Sequence, residues 1–346
     1  MLISLAGKIT KWLRPFGLAK KFVNLIAGKE QFFSIDQFYN PLSAQVETRL
    51  ILELPGRGCA WYKTNGGCTM CGFSRKLEEV NAKWNFSASD LVGLYKMAEV
   101  LTRPHKPKWL YIYNGGSFLN SDEIPLKTQI DIACAIRRHS TFSGLFIESR
   151  PEFVQEQTIV PLLNALGAKS LKIGIGLEAV TDRVREVNIH KGFSRQNYEQ
   201  TVGLLKSYKV RILTYVFLKP LGLSEKEAIE EAVRTILYAF EVGSDEISLS
   251  CAFVQENTKM QEDYQSGKFR PPWLWSIVEV ICRTANLGPV RIGSFEDTPP
   301  PIAIPHNCGK CDVAVMEAVR QYNLSYNSHI FDNLKCDCQI RWEKEK

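Results

Sequence analysis

Short apolar runs punctuate the chain, and between them apolar residues return at helical spacing. Leu50 to Leu54, Leu110 to Tyr113, Leu145 to Glu148, Leu171 to Leu177, Ile212 to Leu218 and Glu246 to Leu249 read as six strands. Between the last two, Ser224-Glu225-Lys226-Glu227 has the form of a helix capping box. Ala228, Ile229, Ala232, Val233, Ile236, Leu237 and Phe240 then follow at helical spacing until Gly243. Strands alternating with helices predict an α/β fold with a parallel sheet, and six such strands suit a partial (β/α)6 TIM-type barrel. The proline run Thr298-Pro299-Pro300-Pro301 marks a stop before a cysteine-bearing tail.

Composition bounds what this barrel can be. With 346 residues, 45% of them hydrophobic, the chain can bury a large core, and no apolar run is long enough to span a bilayer. Ten cysteines in such a chain read as metal ligands and buried thiols in a reducing compartment, which predicts a cytoplasmic protein. The net charge of +6 is concentrated at one end. Lys8, Lys11, Arg14, Lys20, Lys21 and Lys29 precede any acidic residue, and without those six the 43 basic residues fall to the 37 that balance 37 acidic ones. Interleaved with Trp12, Phe16, Phe22 and Ile26, this segment suits nucleic acid phosphates or an anionic membrane surface; the alternative is a helix docked on the barrel with its lysines in water.

Chemistry concentrates after the first of the six strands. Cys59, Cys68 and Cys71 lie in one glycine-flanked loop, and three thiolates can hold three irons of a 4Fe-4S cubane, leaving the fourth iron open. A catalytic zinc or ordinary core cysteines are the alternatives. The reactive groups of parallel barrels come from the carboxyl ends of strands, and four further ends are polar or glycine-rich. They carry Asn114-Gly115-Gly116-Ser117, Glu148-Ser149-Arg150, Glu178 with His190-Lys191-Gly192 downstream, and Lys219-Pro220. The tail adds Cys308 and Cys311, then Cys336 and Cys338, two close pairs that fit a closed zinc site or an auxiliary iron-sulfur cluster. Cys134, Cys251 and Cys282 lie in apolar surroundings and read as core residues.

The cysteine loop, the Gly-Gly after the second strand and the charged strand ends resemble radical S-adenosylmethionine (SAM) enzymes of the Elongator catalytic-subunit type. Longer strings narrow the resemblance: Gly66-Gly67-Cys68-Thr69-Met70-Cys71-Gly72, Glu148-Ser149-Arg150-Pro151-Glu152-Phe153, Lys191-Gly192-Phe193, Leu218-Lys219-Pro220, Ser224-Glu225-Lys226-Glu227-Ala228-Ile229, Arg270-Pro271-Pro272-Trp273-Leu274-Trp275-Ser276 and Pro305-His306-Asn307-Cys308-Gly309-Lys310-Cys311-Asp312. From about residue 50 onward they are similar to the archaeosine-synthesis radical SAM lyases, called RaSEA.

The resemblance implies an enzyme of tRNA that cleaves a carbon-nitrogen bond in a lysine adduct of a 7-deazaguanine base, leaving a formamidine. It implies S-adenosylmethionine bound at the open iron and a reducing partner such as flavodoxin or ferredoxin. Gly115, Gly116, Ser117, Glu148 and Arg150 would bind the cofactor, while Glu178, Lys191 and Lys219 would face the SAM carboxylate or the substrate. The expected division is a basic segment over 1–45, a radical SAM core over 46–295 and a metal-binding extension over 296–346. Methylthiolation or methylation of RNA, or a non-catalytic tRNA-binding protein, are the competing functions.

Overall fold

The computed structural model describes residues 32–295 and 300–346, so the basic residues 8 to 29 lie outside the described part. Eight strands form one curled sheet in chain order: β1 Phe33–Asn40, β2 Gln45–Glu53, β3 Trp109–Tyr113, β4 Gly144–Glu148, β5 Ser170–Glu178, β6 Arg211–Leu218, β7 Glu246–Cys251 and β8 Val290–Ile292. Strands β2 to β8 pair in parallel, and the six predicted runs fall on β2 to β7, the first passing the end of β2 by one residue at Leu54. The sheet gains two further strands at its edges. Antiparallel β1 pairs with β2 from Phe33↔Leu52 to Asn40↔Gln45, a hairpin that spans residue 45. Its sequence, Phe-Ser-Ile-Asp-Gln-Phe-Tyr-Asn, mixes polar residues into the half-covered face of an edge strand, and β8 is only three residues long.

Side chains alternate across the sheet with period two. Leu50, Leu52, Leu110, Ile112, Leu145, Ile147, Ile173 and Ile175 point outward, into one continuous core with the surrounding helices. Trp109, Tyr111, Phe146 and Leu213 point inward with Phe38 and fill the lower lumen with rings. Beneath them Lys172 and Glu246 form an ion pair at 2.5 Å, each side chain 2% exposed. The predicted helix forms as Glu225–Val242, with Ser224 and Glu227 in a capping box and Gly243 as its left-handed stop.

The tail closes the open edge of the sheet. Asn323, the last residue of the helix Asp312–Asn323, offers its side-chain amide to β8 as a strand would: Ile292 N donates to Oδ1 at 2.9 Å and Nδ2 donates to Ile292 O at 2.8 Å. Val315, Val319, Tyr322 and Trp342 belong to the same buried cluster as the barrel helices. Among the described residues no helix is long and apolar enough to cross a membrane.

Candidate functional site

The three-cysteine loop leaves β2 at the carboxyl end of the sheet, and its course is held by partners far away in sequence. Ala60 N donates to Glu123 Oε1 at 3.0 Å, and Trp61 Nε1 donates to His190 O at 2.9 Å. Thr69 N and Oγ1 donate to Ile189 O (2.9 Å) and Asn188 O (2.8 Å), while Thr69 O accepts from Met260 N at 3.1 Å. His190 Nδ1 lies 2.8 Å from Gly67 O and so carries its proton there. Gly72 permits a close backbone approach, because a Cβ at that position would stand 2.9 Å from Glu256 O. The segment 188–191, read in sequence for its Lys191, thus also forms one wall of the cysteine loop.

Cys59, Cys68 and Cys71 are all free and half-buried. Burial pushes the Cys68 thiol up, although Lys191 pulls the other way, and burial with the neighbouring Cys68 raises Cys71 to about 12. Among the described residues the one group whose metal-ligating atoms all come within 4.8 Å of one another is the tail tetrad; these three thiols do not form such a group.

The Gly115-Gly116 turn after β3 faces this loop. Gly115 is left-handed (φ +60°), and a Cβ on Gly116 would occupy the place of the Glu123 carboxylate. Sequence reading missed Glu123, which is buried and accepts from Ser117 N (2.5 Å), Ala60 N (3.0 Å) and Asn120 Nδ2 (3.1 Å). It therefore ties the Gly-Gly turn to the cysteine loop. Burial raises its pKa while the two backbone N–H donors act to lower it. Ser117 is fully buried, and its Oγ accepts from Arg150 N at 3.1 Å. Both amide atoms of buried Asn114, and Nη2 of Arg150, have no hydrogen-bond partner among the described residues. Buried polar atoms of this kind normally find a partner, so they point to a bound group.

Glu148 ends β4 and accepts from Tyr215 Oη at 2.5 Å. Burial raises its carboxyl to about 7 despite that hydrogen bond and the nearby Lys191. Tyr215, also missed in sequence, is an inward residue of β6 whose phenol burial keeps protonated. Arg150 lies over the rings of Trp61 (5.0 Å) and Phe193 (5.5 Å), with Nη1 on Lys191 O at 2.9 Å. Glu178, left-handed (φ +66°) beside a bulge in β5, pairs with Lys191 at 2.8 Å. Burial pushes the Lys191 ammonium down, but the charge and hydrogen bond of Glu178, with Cys68 adding to them, together hold it above the ordinary lysine range. Lys219, also left-handed (φ +73°), pairs instead with Glu225 at 2.7 Å. The structure thus gathers Gly115, Gly116, Ser117, Glu148, Arg150, Glu178 and Lys191 around the cysteine loop, and gives Lys219 a separate ion pair.

In the tail Cys308 Sγ lies 3.9 Å from Cys311 and 3.7 Å from Cys336, and Cys311 lies 3.7 Å from Cys338. Four thiolates placed tetrahedrally at the usual zinc–sulfur length stand roughly 3.8 Å apart. Trp275 Nε1 donates to Cys338 Sγ at 3.2 Å and Asn307 Nδ2 to Cys311 Sγ at 3.3 Å. The backbone N–H groups of Lys310 and Cys311 draw the Cys308 thiol down to about 7.

No family model matches the chain. It is 30% identical over 306 residues to archaeosine synthase subunit beta of Methanosarcina acetivorans, covering 86% of this chain and 85% of that protein. The same-named protein of Thermococcus kodakarensis is 29% identical, over 86% and 91%. An archaeal Elp3 of Methanocaldococcus infernus with an amino-terminal deletion shares the fold at a TM-score of 0.52 and 15% identity, over 70% of this chain and 61% of that one. With strands, strings and both relatives in agreement, the chain belongs to the archaeosine synthase subunit beta family, and its barrel shares the fold of that Elp3.

Proposed function

We propose that the chain is a radical SAM enzyme of tRNA, cleaving the carbon-nitrogen bond of a lysine adduct on a 7-deazaguanine base to leave the formamidine. The observation that carries the reading is the convergence of the three-cysteine loop, the Gly-Gly turn and the Glu178–Lys191 pair at the carboxyl ends of the strands, in a chain similar to archaeosine synthase subunit beta. Cys59, Cys68 and Cys71 hold a 4Fe-4S cluster. Their spread argues against a single zinc ion, whose thiolates crowd together, and suits a cubane whose thiolates bind separate irons. Such a cluster with bound S-adenosylmethionine supplies, on reduction, a 5'-deoxyadenosyl radical.

The protein's own residues bind and orient. The Gly115-Gly116 turn would let backbone approach the methionine end of the cofactor, and the unsatisfied Asn114 amide precedes it in the chain. Arg150 Nη2 has the charge for a carboxylate, and its aromatic stack fixes the guanidinium plane. Glu148, oriented by Tyr215, takes a cationic or hydroxyl group, and Glu178 with Lys191 takes the polar end of the substrate. Lys219, assigned in sequence to the same task, acts through its partner Glu225. The tail tetrad holds zinc, as its thiol spacing suits one ion better than a cluster.

We divide the chain into a basic segment over 1–45, whose β1 joins the sheet of the core, a radical SAM core over 46–295 and a zinc-bearing extension over 296–346. The ten free cysteines are consistent with a reducing, cytoplasmic setting, where flavodoxin or ferredoxin would supply the electron. The test incubates anaerobically reconstituted, reduced protein with tRNA carrying the lysine adduct and follows the base together with 5'-deoxyadenosine. Conversion to the formamidine base supports the lyase. An untouched adduct alongside continuing SAM cleavage overturns the lyase and leaves the radical enzyme standing.

A further inference from the structure

Three of the strings singled out in the sequence lie outside the cysteine loop and its wall at the mouth of the barrel: Ser224-Glu225-Lys226-Glu227, Arg270-Pro271-Pro272-Trp273-Leu274-Trp275-Ser276 and Pro305-His306-Asn307-Cys308. The fold brings all three together. Trp342 Nε1, in the last helix, donates to Ser276 Oγ at 2.9 Å; Ser276 Oγ donates to Glu225 Oε1 at 2.5 Å; Trp273 N donates to the same oxygen at 3.0 Å. The other oxygen of Glu225 accepts from Lys219 Nζ at 2.7 Å. Beyond Lys219, Leu221 O accepts from Asn188 Nδ2 at 2.7 Å, and Asn188 O accepts from Thr69 Oγ1 at 2.8 Å, between Cys68 and Cys71. At the far end, Trp275 N donates to Asn307 Oδ1 at 3.3 Å, and the Trp275 and Asn307 side chains donate to the tail thiols.

We propose that Glu225 is a positioning residue that couples the tail thiolate site to the mouth of the barrel, by holding Lys219 and the turn that follows it against the cysteine loop. Each member of the relay from Glu225 to Trp342 is buried: Glu225, Trp273, Trp275, Ser276 and Trp342. In such surroundings charge-assisted hydrogen bonds are strong and costly to break. Lys219 adds a second observation. Its left-handed backbone is unfavourable for a side-chain-bearing residue and persists only where neighbours impose it. The constraint present is the ion pair to Glu225, which the fold places at the first turn of the helix Glu225–Val242, where a carboxylate is favoured. The relay does not depend on which ion the tail holds.

The test is hydrogen exchange across 219–223 and 66–72 in the full chain, with the helix Asp312–Asn323 as internal reference. Trp342→Phe, at the tail end of the relay, removes the first hydrogen bond together with part of a buried ring, and is expected to speed exchange at 219–223 by about tenfold, the effect of one lost buried bond on local opening. Glu225→Gln is expected to match it, and adding Trp342→Phe to Glu225→Gln should change 219–223 no further. Ser276→Ala tests the same link if Trp342→Phe disturbs the reference helix. Lys219→Arg, which keeps the cation, should retain slow exchange where Lys219→Met loses it. Exchange at 219–223 unmoved by Trp342→Phe and Ser276→Ala, or moved by an equal factor with and without Glu225→Gln, overturns the proposal.

Discussion

In the tail, four thiols are drawn together by three contacts of 3.7 to 3.9 Å, and the Trp275 and Asn307 N–H groups already donate to two of them. At the mouth of the barrel, three thiols spread around a loop, two with pKa values raised by burial, and orphaned polar atoms of Asn114 and Arg150 stand nearby. The tail thus already carries the outer hydrogen bonds of a closed structural site. The mouth keeps a few donors and acceptors left over, as a site that receives a bound group does.

The sharpest way to break this contrast is to remove one cysteine from each side. Cys68→Ala should abolish formation of 5'-deoxyadenosine and lower iron content while zinc stays at about one per chain, the stoichiometry of one closed four-thiolate site. Normal turnover in that variant would remove the mouth as the reactive centre. Cys336→Ser should do the reverse, losing zinc and destabilising the fold by about 3 kcal/mol or more, because metal binding there contributes to folding. Four irons in the tail of a protein lacking Cys59, Cys68 and Cys71 would erase the difference between the two sites.

The two sites also differ in how much of each was legible in the sequence. Tail ligands come as two close pairs, so spacing alone assembled all four. The mouth is assembled by register and by turns. Tyr215 is visible as a strand residue, but that it meets Glu148 follows only from the pairing of β5 with both β4 and β6. Glu123 carries no local signal, since it acts by accepting backbone N–H groups from Ala60 and Ser117. Within Ser224-Glu225-Lys226-Glu227 the capping pair was legible as Ser224 and Glu227, whereas buried Glu225 beside them needed the fold to show its partners. Among the strands, β1 and β8 escaped because an edge strand of mixed polarity and one of three residues lack the run that marked β2 to β7.

Glu123 sharpens the contrast with an intermediate effect. Glu123→Ala strands the N–H groups of Ala60 and Ser117 and opens space beneath Gly116. A loss of about 2 to 4 kcal/mol in thermal or denaturant unfolding is expected for two such buried bonds to a carboxylate. Iron loading should fall with it while zinc content holds. Equal losses of iron and zinc would mean that Glu123 supports the whole fold rather than the mouth.

The smallest expected effect is a titration confined to the mouth. Glu148 has its carboxyl raised from the ordinary 4.5 to about 7, chiefly by burial, so the folded chain keeps a proton that the unfolded chain releases. Stability on this account is greatest below pH 4.5 and falls as pH rises through about 7. Glu148→Gln removes the cost. It should match wild type at acid pH and exceed it by about 1 to 2 kcal/mol at pH 8, a figure reduced from the full shift because the residue borders the open mouth. Binding should move in the opposite sense. Only the ionised carboxylate attracts a cation, so the affinity for S-adenosylmethionine or a cationic substrate should rise as pH passes through 7, and the rise should disappear in Glu148→Gln. Tyr215→Phe, which withdraws the phenol donor from the carboxylate, should move the wild-type rise to higher pH. Affinity that is flat from pH 6 to 8 in wild type would separate Glu148 from any bound cation and leave it as a structural partner of Tyr215.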